Sequence, residues 1–197
     1  MKNKGIFMHG TNNMIWKDIP VPTVKGDEVL VKVEAVGICG SDMHYYQHGR
    51  IGDFVVEGDF ILGHESAGEV VEIGKNVKNL KVGDRVALEP GKTCGKCEFC
   101  KSGLYNLCPD VEFFATPPYN GVFVNYVAHP EDMCFKLPDN VSSVEGALVE
   151  PLSVGLHATG QGGVKLGDTV VIFGTGCIGL STLLASKARR ASTIIVV

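Results

Sequence analysis

The chain has 197 residues, of which 45% are apolar and 20% are charged, a composition that supports a hydrophobic core and excludes a disordered chain. Its 18 basic and 22 acidic residues give a formal net charge of −4 without a basic run, which argues against nucleic acids and anionic membranes as partners. No apolar run approaches the ~18 residues of a membrane span, and the N-terminus lacks the apolar stretch of a signal peptide, so we expect a cytoplasmic protein.

The first 150 residues have the pattern of an all-β domain. Residues 28–36 alternate polar and apolar side chains, which predicts a half-buried strand, and residues 67–73 and 85–88 are similar. Glycine, aspartate and proline follow or precede these strands at residues 25–27, 81–84 and 89–91. Short strands with frequent turns predict a small barrel or sandwich over residues 1–150.

The pattern changes after residue 142. Ser142 with Glu145 forms a capping-box sequence, so we predict one helix from there to about Gly160. An apolar strand at 169–173, a glycine-rich turn, a helix at about 178–189 and a second apolar strand at 192–197 form one βαβ unit. Because a full dinucleotide fold needs two βαβαβ halves, residues 151–197 are expected to be a linking helix and the incomplete start of a Rossmann domain.

Four cysteines lie close together in a glycine-containing segment: Cys94, Cys97, Cys100 and Cys108. Four thiolates at this spacing suit a closed, tetrahedral zinc site that braces a loop. Four ordinary thiols and an iron–sulfur cluster are the alternatives. Seven cysteines in a chain expected to be cytoplasmic favour metal ligation over disulfides.

A second set of candidate ligands combines Cys39 with His64 and Glu65. Sulfur, imidazole and carboxylate are a catalytic zinc set if a fourth position stays open, whereas a core thiol and a hydrogen-bonded histidine are the alternative. Neighbouring residues of a strand point to opposite faces, so His64 and Glu65 can share an ion only if the backbone is irregular, which Gly63 permits. Glu150 is either a surface carboxylate or a second acid near this zinc.

A glycine fingerprint, Gly174-x-Gly176-x-x-Gly179, follows the predicted strand and opens the predicted helix. In that context it indicates a dinucleotide site, where a pyrophosphate approaches the backbone at a helix N-terminus; a simple tight turn is the alternative. The acid that would bind the ribose should lie about twenty residues further on, at or beyond the last residue, so the choice between NAD and NADP stays open.

Together these features resemble the zinc-dependent medium-chain dehydrogenase/reductase superfamily, and within it the sorbitol (polyol) and xylitol dehydrogenases. The cysteine loop and the Gly-His-Glu sequence are typical of the superfamily, whereas residues 50–52, 115–118 and 150–153 point to the polyol branch. The resemblance covers the whole chain and rests, besides that loop, on residues 37–46, 49–52, 62–65, 82–87, 114–118, 136–140 and 150–155.

The resemblance implies a mostly β, GroES-like barrel as the catalytic domain, followed by the beginning of an α/β Rossmann domain. It implies two zinc ions per chain and NAD, with NADP not excluded. It also implies a small-molecule polyol substrate and a homo-oligomer, dimer or tetramer, at full length. One departure is Arg190, because the family usually places glycine between this helix and the next strand, and arginine fits that turn less well.

Site residues follow from the same resemblance. Cys39, His64 and Glu65 are expected to bind the catalytic zinc, with Glu150 near it as a ligand or bonded to its water; which glutamate is the direct ligand stays open. The expected proton relay consists of Ser41 and His44. The residues expected to line the polyol pocket are Tyr45, Phe54, Phe113, Thr116 and Glu150. The expected cofactor turn consists of Gly174, Gly176, Cys177, Ile178 and Gly179.

The implied function is oxidation of a sorbitol- or xylitol-type polyol to a ketose by hydride transfer to a nicotinamide. Rival interpretations are a threonine or butanediol dehydrogenase, which shares the zinc motifs, and a zinc-stabilised module without catalysis. Residues 1–197 alone are expected to be inactive, because only the first βαβ unit of the cofactor domain is present.

Overall fold

The computed structural model describes all residues, 1–197, and divides the chain into two compact units, Met1–Ala147 and Leu148–Val197. The domain boundary predicted at residue 150 lies close to this division, inside the first turn of a helix. None of the helices combines the length and apolar character that crossing a membrane requires.

The first unit is built mainly from short strands, as its alternating sequence predicts. Its helical segments are α1 Gly40–His48, α2 Glu98–Lys101, α3 Ser143–Ala147 and two 3₁₀ turns at Tyr105–Leu107 and Glu131–Met133. Its strands are β1 Asn3–His9, β2 Met14–Ile19, β3 Glu28–Gly37, β4 Arg50–Ile51, β5 Phe54–Val55, β6 Asp59–Ile61, β7 Glu65–Ile73, β8 Arg85–Leu88, β9 Gly91–Lys92, β10 Glu112–Phe113, β11 Tyr126–Pro130 and β12 Cys134–Lys136.

An antiparallel sheet in the order β11-β3-β7-β8-β12 forms the centre of this unit and contains all three strands predicted from alternation. A second sheet has the order β2-β1-β6. The prediction that β3 is half-buried is wrong for its first half, where Val29, Leu30 and Val31 are all fully buried. Val29 and Val31 belong to one core cluster, and Leu30 on the opposite face is also fully buried, so only the second half of β3 alternates.

The second unit contains α4 Val149–Gln161, β13 Thr169–Ile172, α5 Cys177–Ala188 and β14 Thr193–Val196. Strands β13 and β14 pair in parallel, which confirms the predicted βαβ unit. Helix α4 packs against α5 at Gly155, where a side chain would meet the backbone of Ser181 only 2.6 Å away. Parallel strands joined through a helix are the elementary unit of a doubly wound sheet.

The single helix predicted from residue 142 to 160 is instead two helices, α3 and α4, separated at Leu148. The capping box is confirmed, since Ser142 accepts from the Glu145 N–H and the Glu145 carboxylate accepts from the Ser142 N–H. Pro151 explains the break, because it has no N–H to donate to the carbonyl of Ala147 four residues earlier. In the first turn of α4 the missing donor costs nothing.

Arg190 adopts the left-handed conformation, with φ +61°, directly after α5. The Ala191 N–H donates to the Ser186 carbonyl and the Arg190 N–H to the Lys187 carbonyl, which together form a Schellman motif. Glycine is the usual residue at this position, since an L side chain is strained there. The sequence-based concern about Arg190 is therefore confirmed.

Candidate metal centres and active site

The four cysteines Cys94, Cys97, Cys100 and Cys108 converge, with all four sulfurs within 4.8 Å of one another. Cys97 is the N-cap of α2, and its sulfur accepts the Cys100 N–H at 3.4 Å. The Cys94 sulfur accepts the Cys97 N–H at 3.4 Å. Backbone donors, first that of Lys96 and then that of Cys97, lower the pKa of Cys94 to about 7. Four convergent sulfurs are the donor set of a closed, tetrahedral zinc site, and the lowered pKa makes Cys94 easier to deprotonate for ligation.

The segment around these cysteines has almost no core of its own. Of residues 94–108 only Cys108 is buried, and the leucines at 104 and 107 are about half exposed. The Tyr105 hydroxyl connects this segment to the barrel by donating a hydrogen bond to the Glu89 carboxylate at 3.1 Å. The Glu89 carbonyl in turn accepts a hydrogen bond from His129 Nε2 at 2.8 Å, and burial lowers the pKa of this histidine to about 4.

The second cluster brings Cys39, His64 and Glu65 together, with one ligand atom of each within 4.8 Å of the other two. His64 and Glu65 are buried and Cys39 is partly buried. Strand β7 begins only at Glu65, and Gly63 has φ +89°, so the backbone has the irregularity that a shared ion requires. The set provides three protein donors of zinc type and leaves a fourth position for a further ligand.

Asp42 connects the two segments that carry these residues. Its carboxylate accepts the Cys39 N–H at 2.9 Å and the Gly63 N–H at 2.8 Å, and it lies 3.8 Å from Nδ1 of His64. Only 2% of Asp42 is exposed. Asp42 therefore holds the backbones of the Cys39 and Gly63 segments together beside His64, and it belongs to the candidate site although the sequence analysis missed it. The available signal was its position in the first turn of α1, where an acid caps the helix.

Gly37 makes room for Glu65. The two residues are partners across β3 and β7, and a Cβ added at Gly37 would lie 2.0 Å from the Glu65 Oε2. Similarly, a side chain at Gly63 would collide with the Phe123 ring at 2.7 Å. Both glycines thus serve the geometry of the cluster through the space that they leave empty.

The other candidate site residues of the first unit are spread around α1 and the short strands. Ser41 is partly buried in the first turn of α1, and His44 is exposed one turn further on. The Phe113 ring lies 5.9 Å from that of His64, which makes it a direct neighbour of the cluster. Tyr45 is buried in a core group with Phe60, which also holds Met8 and Leu62.

Three further candidates lie elsewhere. Phe54 is 53% exposed on the β4–β5 ribbon, and Thr116 is partly buried in a turn closed by its pairing with Tyr119. Glu150 lies in the first turn of α4, in the second unit.

The glycine turn between β13 and α5 has a different role for each glycine. Gly174 has φ +103°, which allows the tight turn, and no atom lies within 4 Å of a Cβ built at Gly176. A side chain at Gly179 would lie 2.0 Å from the Gly174 carbonyl, so the helix approaches the strand closely there. Gly176 precedes α5, whose first residues, Cys177 and Ile178, are exposed. A turn of this form leaves the backbone N–H groups of a helix N-terminus open to an anion.

A strand-rich unit with two metal-type ligand clusters, followed by a βαβ unit with a dinucleotide-type turn, is the combination expected of a metal-dependent dehydrogenase. The family model of the alcohol dehydrogenase GroES-like domain matches residues 25–139, and the chain belongs to this family. The resemblance and the fold class inferred from the sequence are thereby confirmed.

Among similar proteins, the sorbitol dehydrogenase of Bacillus subtilis (strain 168) is 55% identical over 98% of this chain and 55% of its own length. A probable D-xylulose reductase A of Arthroderma otae is 54% identical over 98% of this chain and 55% of its own length. A crystal structure of an Escherichia coli oxidoreductase/dehydrogenase of unknown specificity involved in membrane biogenesis is 47% identical with a TM-score of 0.94, covering 100% of this chain and 57% of that one. The chain thus spans about half the length of the relatives that it matches.

Proposed function

We propose that this chain forms the zinc-binding barrel and the first part of the cofactor domain of a polyol dehydrogenase, which oxidises a sorbitol- or xylitol-type substrate to a ketose with NAD. The observation that carries the proposal is the convergence of Cys39, His64 and Glu65 on one point. The names of the two relatives, a sorbitol dehydrogenase and a probable D-xylulose reductase, support a polyol as the substrate.

Two zinc ions per chain fit the two donor sets. The four thiols offer a complete tetrahedral shell, whereas the mixed cluster offers three protein donors and an open position. Zinc at the mixed cluster would supply Lewis-acid polarisation of the substrate hydroxyl. Glu150 is the alternative carboxylate to Glu65 at this metal.

The residues of α1 provide a path for the substrate's proton. Ser41 follows Cys39 by two residues and is partly buried, so its hydroxyl can accept the proton and donate its own. His44 is exposed one turn later on the same helix, and its imidazole can pass the proton on to solvent. We therefore propose a relay from substrate through Ser41 to His44.

Substrate selection would come from a mixed pocket. Phe113, beside His64, provides an apolar wall, and Tyr45, Phe54, Thr116 and Glu150 are the further pocket residues that we propose. Polar groups that hydrogen-bond additional hydroxyls discriminate against substrates that lack them, because those groups are then left unpaired. A polyol should therefore be preferred to ethanol.

The cofactor would bind at the turn of Gly174, Gly176 and Gly179, with its pyrophosphate against the N-terminus of α5 beside Cys177 and Ile178. The chain's part in hydride transfer is to position the nicotinamide and the substrate relative to each other. A homodimer or homotetramer and a cytoplasmic location remain predictions from the sequence.

The test is NADH formation by the zinc-loaded full-length enzyme with xylitol, sorbitol and ethanol. We expect turnover with a polyol, a clear preference over ethanol, and loss of turnover in Cys39→Ala and His64→Ala with the fold retained. Cys134→Ala removes a buried core thiol outside both clusters and should remain active. Near wild-type turnover in Cys39→Ala or His64→Ala, or equal efficiency with ethanol, would contradict the proposal.

A further inference from the structure

The exposed face of α1 carries two histidines one helical turn apart. His44 and His48 are both exposed, and their ring centroids lie 4.6 Å apart with an interplanar angle of 61°. Residues four apart are neighbours on one face of a helix, so both imidazoles can reach a common point outside it. Neither ring forms a hydrogen bond or an ion pair with another protein group.

This arrangement has the chemistry of a two-ligand metal site. Neutral imidazole is a preferred ligand of Zn²⁺, Cu²⁺ and Ni²⁺, and two histidines at i and i+4 of a helix are a recurring bidentate donor pair. His48 lies in the last turn of α1, where the unpaired carbonyls of the helix end favour a cation. With only two protein donors the ion would be held less firmly than at either of the larger clusters, and it would exchange with solvent.

We propose that His44 and His48 form a third metal site, which takes a borderline divalent transition-metal ion reversibly from solution. Occupancy has a consequence that rests on the proposed function, in which His44 releases the substrate's proton. An imidazole nitrogen that coordinates a metal ion has no lone pair left for a proton, so the ion would slow polyol oxidation.

Binding is tested by calorimetric titration of the zinc-loaded chain, freed of excess zinc, with NiCl₂. We expect one Ni²⁺ per chain without release of zinc, and loss of this binding in His44→Gln and in His48→Gln. His157→Gln is the matched control, because His157 is an exposed helical histidine without a partner ring. No binding by the wild type, or binding that His48→Gln retains, would overturn the proposed site.

Turnover separates this inference from the function on which its second part rests. In the full-length enzyme, Ni²⁺ should inhibit polyol oxidation by the wild type over the concentration range of the calorimetric binding, and His48→Gln should show wild-type basal turnover without the inhibition. Binding without inhibition would overturn the blocked proton release and leave the metal site established. Absence of any polyol turnover would overturn the proposed function, while the calorimetry would still decide the metal site.

Discussion

Gly37→Ala tests whether the Glu65 carboxylate is a ligand of the mixed cluster. The added Cβ would lie 2.0 Å from Oε2 and 3.1 Å from Cδ of Glu65. Carbon and oxygen atoms in ordinary contact are about 3.5 Å apart, so the carboxylate must retreat by more than ~1 Å. Metal–ligand distances are maintained within about 0.2 Å, so the displaced carboxylate cannot bind an ion that Cys39 and His64 also hold.

We expect the zinc affinity of the mixed cluster to fall by more than the ~10- to 100-fold that follows when only an outer partner of a ligand is removed. The affinity is measured by competition with a chromophoric chelator on protein whose four-thiol site is already filled. Gly40→Ala is the matched control, because no atom lies within 4 Å of a Cβ at that position. Circular dichroism should show both variants folded. Wild-type zinc affinity in Gly37→Ala would refute Glu65 as a ligand.

Two further predictions concern stability. Because burial lowers the pKa of His129 to about 4, below the ~6.5 of an unfolded histidine, the folded state should lose about 3 kcal/mol as pH falls from about 6.5 to about 4. Denaturant titration at several pH values should show a smaller loss of stability in His129→Gln, which keeps an N–H donor, and an unchanged loss in His157→Gln. The same dependence of stability on pH in both variants would contradict the assignment of this loss to His129. Arg190→Gly should raise the melting temperature by removing roughly 1 kcal/mol of left-handed strain. Lys165→Gly is the control, because Lys165 has no positive φ, and it should lower the melting temperature. A lower melting temperature in Arg190→Gly as well would refute the strain argument.

The strands and the thiol cluster could be predicted because their signals are local in the sequence. Alternation over a few residues marked β3, β7 and β8, and cysteine spacing marked the thiol cluster. The need for an irregular backbone at Gly63 followed from the geometry of any strand. The strained turn at Arg190 could also be predicted, because that prediction required only the type of residue at one position.

What the sequence did not reveal depends on contacts between distant residues. Asp42 connects to Gly63 across 21 positions, and Gly37 matters because of a carboxylate that another strand brings beside it. The full burial of Val29 to Val31 depends on what covers each face of β3, which alternation alone cannot show. The break before α4 was predictable in principle, because Pro151 lacks the donor that an unbroken helix needs.

The two ligand clusters should respond differently to removal of metal, because different forces hold them. The mixed cluster is held by the barrel: His64, Glu65 and Asp42 are buried, and Asp42 bonds to both segments. The cysteine segment has one buried residue among 94–108, so its shape depends on ligation of the sulfurs. Treatment with a chelator, or Cys97→Ser, should therefore accelerate amide hydrogen exchange at 94–108 and leave β7 protected. Uniform protection in both regions after complete zinc removal would show that the segment holds its shape without an ion, and equal loss in both would show that the barrel itself depends on zinc.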